Sequence, residues 1–310
     1  MNRRLTIIIC TYNRGDLISE TIPTIFQQDL PLNDYSVIIV NNNSDDGTAK
    51  ILDSFSIQYN NLMVINEKMQ GLSHAKNAGM FTAKTDWVVY LDDDAKVPFD
   101  FVRKALKNIA NSNFSCFGGV YLPWYKYGKP RWYKDEYASN ANKLPDFGVL
   151  QNDYISGGIM AVKKNVLLKY GGFSTNIGMK GTNTAYGEET FLQIMLRKDG
   201  YDIGYDPNWI MYHLVGNYKL HASWFLKSGY VSGRDSWIIY QKIPTIKILF
   251  LYLFRSLKMF IVNLFKYTPK IFTENYYSQN WIIDVFRPSI LKFGQVIGGI
   301  KYLFKNNGTK

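Results

Sequence analysis

The stretch WVVYLDDDAKVP, residues 87–98, sets an apolar run of strand length directly before three adjacent carboxylates. Residues 87–91 are aromatic and β-branched, a composition that suits a buried strand. Asp92, Asp93 and Asp94 then crowd like charges at its end, where either a bound cation or a turn rich in backbone donors must offset the repulsion. Working outward, residues 5–10, 36–40 and 62–65 are further strand-like runs, and 17–28, 48–56 and 73–83 have helical character. Pro23 is expected to kink the first helix or to mark a late start. Strands alternating with helices predict an α/β fold with a largely parallel sheet covered on both faces. Ligands of such sheets gather at the carboxyl ends of the strands.

The segments that follow the strands are polar: TYNRG (11–15), NNNSDDGT (41–48) and DDDAKVP (92–98). They share one edge of the expected sheet. No GxGxxG follows the first strand and no GxxxxGK[ST] occurs, so neither a dinucleotide fingerprint nor a P-loop accounts for that edge. Another ligand carrying phosphates or sugars fits it better.

The chain has 310 residues and 46% hydrophobic content, enough to bury a proper core as one large domain or one domain with an appendage. Disorder is excluded on that ground. Two cysteines, Cys10 and Cys116, make no disulfide framework, and MNRRLTIIIC enters strand-like sequence without an extended apolar signal region, which leads to the expectation of a cytoplasmic compartment. The net charge of +11 is localised. From residue 211 onward there are fourteen Lys and Arg against Asp235, Glu274 and Asp284, while residues 1–210 are neutral. A neutral α/β body and a basic tail facing an anionic partner follow, against the plainer alternative of a solvated basic face.

The ordered set IIICTYNR, IIVNNNSDDGT, GLSHAKNAG, VVYLDDDAKVP, GGF, YGEET and YH resembles the family 2 glycosyltransferases over roughly residues 5–213. The resemblance implies a GT-A fold: a Rossmann-like, mostly parallel central sheet flanked by helices, with a nucleotide half (1–120) and an acceptor half (121–215). It also implies transfer of a sugar from a nucleoside diphosphate donor, usually with Mn²⁺ or Mg²⁺ and with inversion at the anomeric carbon. Asp92 and Asp94 match the family's DxD motif. In extended backbone they face the same way, with Asp93 pointing elsewhere; Asp94 is assigned to the metal and Asp92 to metal or ribose. His213, in WIMYHL, matches a position where the family often places a metal-binding His, though a hydrogen-bonded boundary residue reads the same way.

By the same resemblance Thr11, Tyr12, Asn13 and Arg14 line the base and ribose pocket, Asn41 and Asn42 contact the base, and Asp92 and Asp93 complete the donor site. Asn41 stands where many members have Asp, exchanging a charged acceptor for an amide that both donates and accepts, which weakens the usual uridine preference. Lys76 replaces a common Arg; it keeps the charge but loses the planar fork, so it is expected to act as a point charge on phosphate, or else as a solvated helix residue. Tyr186 to Thr190 matches the GED-type motif, in which the second acidic residue is the base that deprotonates the acceptor hydroxyl. That residue is Glu189, with Glu188 as fallback; acidic residues also suit a helix start.

Acceptor contacts are expected from Gly157 and Gly158, where close backbone approach is possible, and from Trp124 and Trp132 in the aromatic and basic stretch 121–137. Residues 216–310 are expected to form a mainly helical extension. Placed on a helix, residues 243–266 carry Lys247, Arg255, Lys258 and Lys266 on one stripe and apolar residues around the rest, the pattern of a helix lying on an anionic membrane surface; 289–304 is a second, weaker candidate. The alternative is that these helices pack on the body or dimerise. The expectation is therefore a metal-dependent inverting glycosyltransferase at the inner face of the membrane, using a nucleotide-sugar donor, UDP-linked by preference, and a glycan or lipid-linked acceptor in surface polysaccharide synthesis. A catalytically silent sugar-nucleotide binder would lack the need for Glu188 and Glu189. A nucleic-acid binder would leave the acidic clusters without a task and repel phosphate near them, so no nucleic acid is expected.

Overall fold

The computed structural model describes residues 4–141, 143–181 and 183–307. They form two compact units. The first comprises 1–124, 138–183 and 188–214; the second comprises 125–137, 184–187 and 215–310. Residues 125–137 thus group with the C-terminal helices rather than with their neighbours in sequence.

The first unit is built on a mixed sheet of nine strands among the described residues. Strands β1 (Leu5–Thr11), β2 (Tyr35–Asn41), β3 (Leu62–Asn66) and β4 (Trp87–Asp92) are joined by helices α1 (Gly15–Phe26), α2 (Thr48–Gln58) and α3 (Leu72–Thr82). Then come the short β5 (Ala95–Lys96), α4 (Phe101–Asn111), β6 (Cys116–Trp124), β7 (Gly148–Val149), β8 (Ile159–Lys163), α5 (Lys164–Lys169), α6 (Glu188–Lys198) and β9 (Ile203–Leu214). The strand order is β3-β2-β1-β4-β8-β6-β9-β5, with β7 paired to β9. The first four strands are parallel, as alternation with helices requires, and β8 runs antiparallel to both β4 and β6.

Both faces of the parallel half are buried, which is why its strands read as unbroken apolar runs. Ile7, Ile9, Ile39, Val89 and Leu91 pack with Ile18, Ile22 and Ile25 of α1 on one face. Ile8, Ile38, Val40, Val88 and Tyr90 pack with Ala75 and Met80 of α3 and Leu192 and Leu196 of α6 on the other. Helix α1 starts at Gly15, runs through Pro23 and ends one turn later at Phe26, so the proline marks no late start.

The second unit contains α7 (Ala222–Ile239), α8 (Ile246–Tyr267) and α9 (Ser278–Asn307). Glycine lets α7 and α9 approach closely: a Cβ on Gly233 would lie 2.0 Å from the Leu291 carbonyl oxygen, and one on Gly298 2.1 Å from that of Arg234. Helix α8 is capped by Thr245, whose hydroxyl accepts from the Ile248 amide. It buries only a narrow side, at Leu249 and Ser256.

Candidate active site

The chain leaves β1 for β2 on one side and returns to β4 on the other, so the crevice beyond their carboxyl ends is a topological switch point. The register brings Thr11 opposite Asn41, and Cys10 opposite Asp92. Strand β4 stops at Asp92, and residues 93–94 form a turn into β5 rather than continuing extended. That turn divides the three carboxylates between two cationic or imidazole partners, with Asp94 shared by both. Asp92 Oδ2 and Asp94 Oδ1 each lie 3.3 Å from His213 Nε2, while Arg14 Nη1 donates to Asp93 Oδ1 at 2.8 Å and to Asp94 Oδ2 at 3.2 Å. The Thr21 hydroxyl fixes the turn by donating to the Asp93 carbonyl at 2.8 Å. His213 comes into reach because β9 pairs with β5, opposite Ala95.

Burial pushes the Asp93 carboxyl up to about 6; Arg14 pulls it down, Asp94 raises it further, and the Thr11 hydroxyl adds a smaller stabilising contact. Asp94 Oδ1 is buried without a hydrogen-bond partner. An orphaned carboxylate oxygen is costly unless something else completes it. The ligand atoms of Asp92, Asp94 and His213 lie within 4.8 Å of one another, so one divalent ion would satisfy all three. Two carboxylates and an imidazole suit Mn²⁺, and the oxygens also suit Mg²⁺.

The first two loops brace each other. Asn13, at φ 52°, donates through Nδ2 to Asp45 and accepts from the Asp45 amide, and the Arg14 amide donates to the Thr48 hydroxyl. Tyr12 is half-buried beside them. Asn41 donates to Asn66 Oδ1 and accepts from the Ser44 amide; Asn42 donates to the Glu67 and Met69 carbonyls and accepts from the Gly71 amide. Both amides are engaged by the protein, though Asn41 keeps one N–H and each side-chain oxygen keeps a lone pair for a further contact.

Gly157 and Gly158 form the joint between the acidic triplet and α6. A Cβ on Gly158 would fall 2.0 Å from Asp92 Oδ2, and one on Gly157 would lie 3.0 Å from Lys76 Nζ and 3.2 Å from Glu189 Cβ. Only backbone fits there, and it carries Asp92 on one side and Glu189 on the other. Helix α6 is held to this strap by Gln193, whose Oε1 accepts from the Ile155 amide while Nε2 donates to the Ile155 and Glu189 carbonyls. Neither Gln193 nor Thr21 stood out in the sequence; for Gln193 the one available signal was its position a turn beyond Glu189.

Lys76 does not stand open to a phosphate. It is 4% exposed and donates to Glu188 Oε1 at 2.7 Å. Burial drives the Glu188 carboxyl upward, but the Lys76 charge and hydrogen bond outweigh it and hold Glu188 below the ordinary range. Glu189 goes the other way, raised by burial and by the Glu188 charge to about 8. Adjacent carboxylates pushed apart in this way can divide acid and base roles.

Of the two tryptophans, Trp124 is half-buried, donates to the Asp94 carbonyl at 3.4 Å and has the Lys96 ammonium 3.9 Å over its ring. Trp132 belongs to the helical unit, 8% exposed and packed against Tyr133, Tyr137 and Phe225. It presents no open ring for a sugar.

The sequence model of glycosyl transferase family 2 matches residues 6–171. The glucosyl-dolichyl phosphate glucuronosyltransferase of Haloferax volcanii is 23% identical over 240 residues, 74% of this chain and 75% of that protein. The poly(ribitol-phosphate) beta-glucosyltransferase of Bacillus spizizenii is 31% identical over 93 residues, spanning 29% of this chain but 15% of the relative's length. Among solved structures, the mannosyltransferase PcManGT of Pyrobaculum calidifontis, in complex with GDP-Man and Mn²⁺, superposes with a TM-score of 0.59 at 18% identity, covering all of this chain and 81% of its own. S. aureus TarS 1-349 with UDP-GlcNAc gives 0.56 at 13% identity, covering 97% of this chain and 92% of its own. These likenesses bear out the GT-A fold. With the family model covering more than half of the sequence, the chain belongs to glycosyl transferase family 2 and is a glycosyltransferase.

Proposed function

We propose that the protein transfers a sugar, with inversion, from a nucleoside diphosphate donor to a glycan or lipid-linked acceptor. The observation that carries this reading is the glycine strap, which sets Asp92 of the metal-type cluster and Glu189 on its two sides. Asp94, Asp92 and His213 would hold Mn²⁺ or Mg²⁺, and the ion would offset charge on the departing diphosphate. Arg14 adds positive charge beside Asp93 and Asp94, and the 11–15 and 41–48 loops form the wall against which the nucleoside rests. Glu189 takes the acceptor hydroxyl's proton as its oxygen bonds the anomeric carbon and the donor's C–O bond breaks toward the diphosphate. The GDP-Man and UDP-GlcNAc complexes of the structural neighbours support a nucleotide-sugar donor, and the names of the relatives support a lipid-linked or polyol-phosphate acceptor. UDP remains the preferred nucleotide of this reading.

The helical unit supplies the membrane contact at the cytoplasmic face. Ile246, Phe250, Phe254, Leu257, Ile261 and Phe265 are 52–76% exposed and fall within an arc of about 100° on α8. Lys247, Arg255, Lys258 and Lys266 fall on the adjoining arc, opposite neither lipid tails nor core but at headgroup level for a helix lying flat.

The decisive experiment incubates the full chain with a panel of UDP- and GDP-sugars and Mn²⁺, reading thermal stabilisation and release of nucleoside diphosphate. Metal-dependent release that Asp94→Asn abolishes is the expected result. Donor binding with no turnover under any metal would instead select the silent binder.

A further inference from the structure

The environment of Lys76 gives it a task other than the phosphate contact expected from its place in GLSHAKNAG. Its ammonium is walled in: Glu188 Oε1 at 2.7 Å, the Phe173 ring at 5.0 Å, the Tyr90 ring at 5.9 Å, and the Gly157 backbone alongside. Glu188 is equally enclosed, 4% exposed, with Oε2 2.9 Å from where a Cβ on Gly178 would be. Glu188 and Glu189 are neighbours on the first turn of α6, and two adjacent carboxylates in a buried site do not both ionise readily. A cation fixed on one of them decides which one keeps the proton.

We propose that Lys76 is a positioning residue for transfer: its buried ion pair holds Glu188 ionised and turned into the body, so that Glu189 is the carboxyl that exchanges a proton with the acceptor. This rests on the transferase reading above and names what sets its base. During transfer the acceptor hydroxyl's proton passes to the Glu189 carboxylate, the acceptor oxygen bonds the anomeric carbon, and the electron pair of the broken C–O bond leaves with the diphosphate. Lys76 and Glu188 neither gain nor lose a proton.

The opposite displacements of the two glutamates, Glu188 downward and Glu189 upward, follow from this arrangement. The other titratable groups facing it are the Cys10 thiol, which burial pushes up to about 12, the Tyr90 phenol, which burial raises well above its ordinary value, and the Asp92 carboxylate, whose charge reaches Lys76 more weakly than those of the glutamates. Cys10 and Tyr90 stay protonated across the neutral range, leaving Glu189 to titrate there.

The test follows the Glu189 carboxyl directly in the full chain, by pH-difference infrared spectroscopy of the carboxylic acid C=O band, assigned by its loss in Glu189→Gln. Wild type and Lys76→Arg should titrate alike. Lys76→Met should change the band, because Glu188, no longer paired, competes with Glu189 for the proton: a second carboxylic acid C=O component, lost in Lys76→Met/Glu188→Gln, should appear. Glu188→Gln should move it at least one unit downward, because Lys76 then faces Glu189. If Lys76→Met does not fold, the double variant Lys76→Met/Glu188→Gln, which leaves no unpaired charge, is compared with Glu188→Gln: restoring the lysine should lower the titration by at least one unit. An unmoved band in Glu188→Gln, or a Lys76→Met variant that loses UDP–Mn²⁺ binding with its band unchanged, overturns the proposal in favour of a donor contact. Transfer surviving in Glu189→Gln would refute the base assignment instead, a separate readout.

Discussion

Glu189→Gln should remove transfer and at the same time stabilise the protein at alkaline pH. The folded-state carboxyl is raised to about 8 from an ordinary 4.5. Between those values the folded protein holds a proton that the unfolded chain has released, so stability falls as pH rises through that window and levels off above it. The whole window corresponds to about 5 kcal/mol. Glu189 keeps partial contact with solvent, and screening reduces the figure to about 2 kcal/mol. Glutamine is neutral at every pH and close to isosteric with the protonated acid. Wild type and variant should therefore melt together near pH 5, and the variant should melt about 3–5 °C higher at pH 8.5 for a chain of this size. Differential scanning calorimetry at the two pH values gives the stability arm. The kinetic arm is kcat/KM for transfer, which in wild type should climb with pH toward a plateau above about 8 as the base loses its proton, and which the variant should lack while still binding donor. Equal melting shifts at both pH values, or transfer at the wild-type rate, would refute the reasoning.

The cation site gives a second expectation: Asp94→Asn should lower Mn²⁺ affinity at least tenfold, read by calorimetric titration, and undiminished binding would remove Asp94 from the ligand set. Gly158→Ala places a methyl where Asp92 Oδ2 sits; it should cost about 1–3 kcal/mol of stability and weaken Mn²⁺ binding together, whereas a neutral effect on both would show that the strap yields. Thr21→Val, which deletes the hydroxyl donated to the Asp93 carbonyl, should cost about 1 kcal/mol in denaturant unfolding and raise KM for metal. On α8, Phe250→Ser with Phe254→Ser should reduce co-sedimentation with vesicles containing phosphatidylglycerol, and Lys247→Glu with Lys258→Glu should abolish the preference over neutral vesicles; unchanged sedimentation of both pairs would dismiss the interfacial helix.

Much of this molecule is written in short-range pattern. Apolar runs of strand length alternating with helical segments determined the parallel half of the sheet, because a strand buried on both faces needs apolar residues at every position, as in Ile7 to Ile9 and Val88 to Leu91. The same pattern located the polar loops at one edge, and the ordered motifs identified the family. Pairing across long separations was not legible. Lys76 and Glu188 are 112 positions apart, Gln193 reaches back 38 to Ile155, and His213 meets Asp92 only through the pairing of β5 with β9. No local period encodes which buried charge will find which partner. The sequence marked Trp132 as an aromatic beside basic groups, and the fold spent it as packing among Tyr133, Tyr137 and Phe225. Likewise it marked Lys76 as a cation near the donor loops, and the fold set it on Glu188. Backbone hydrogen bonding and apolar periodicity act within a few residues and so survive in the linear text. The assignment of a proton to Glu189 rather than Glu188 depends on burial and on one distant ammonium, and it exists only once the chain has closed on itself.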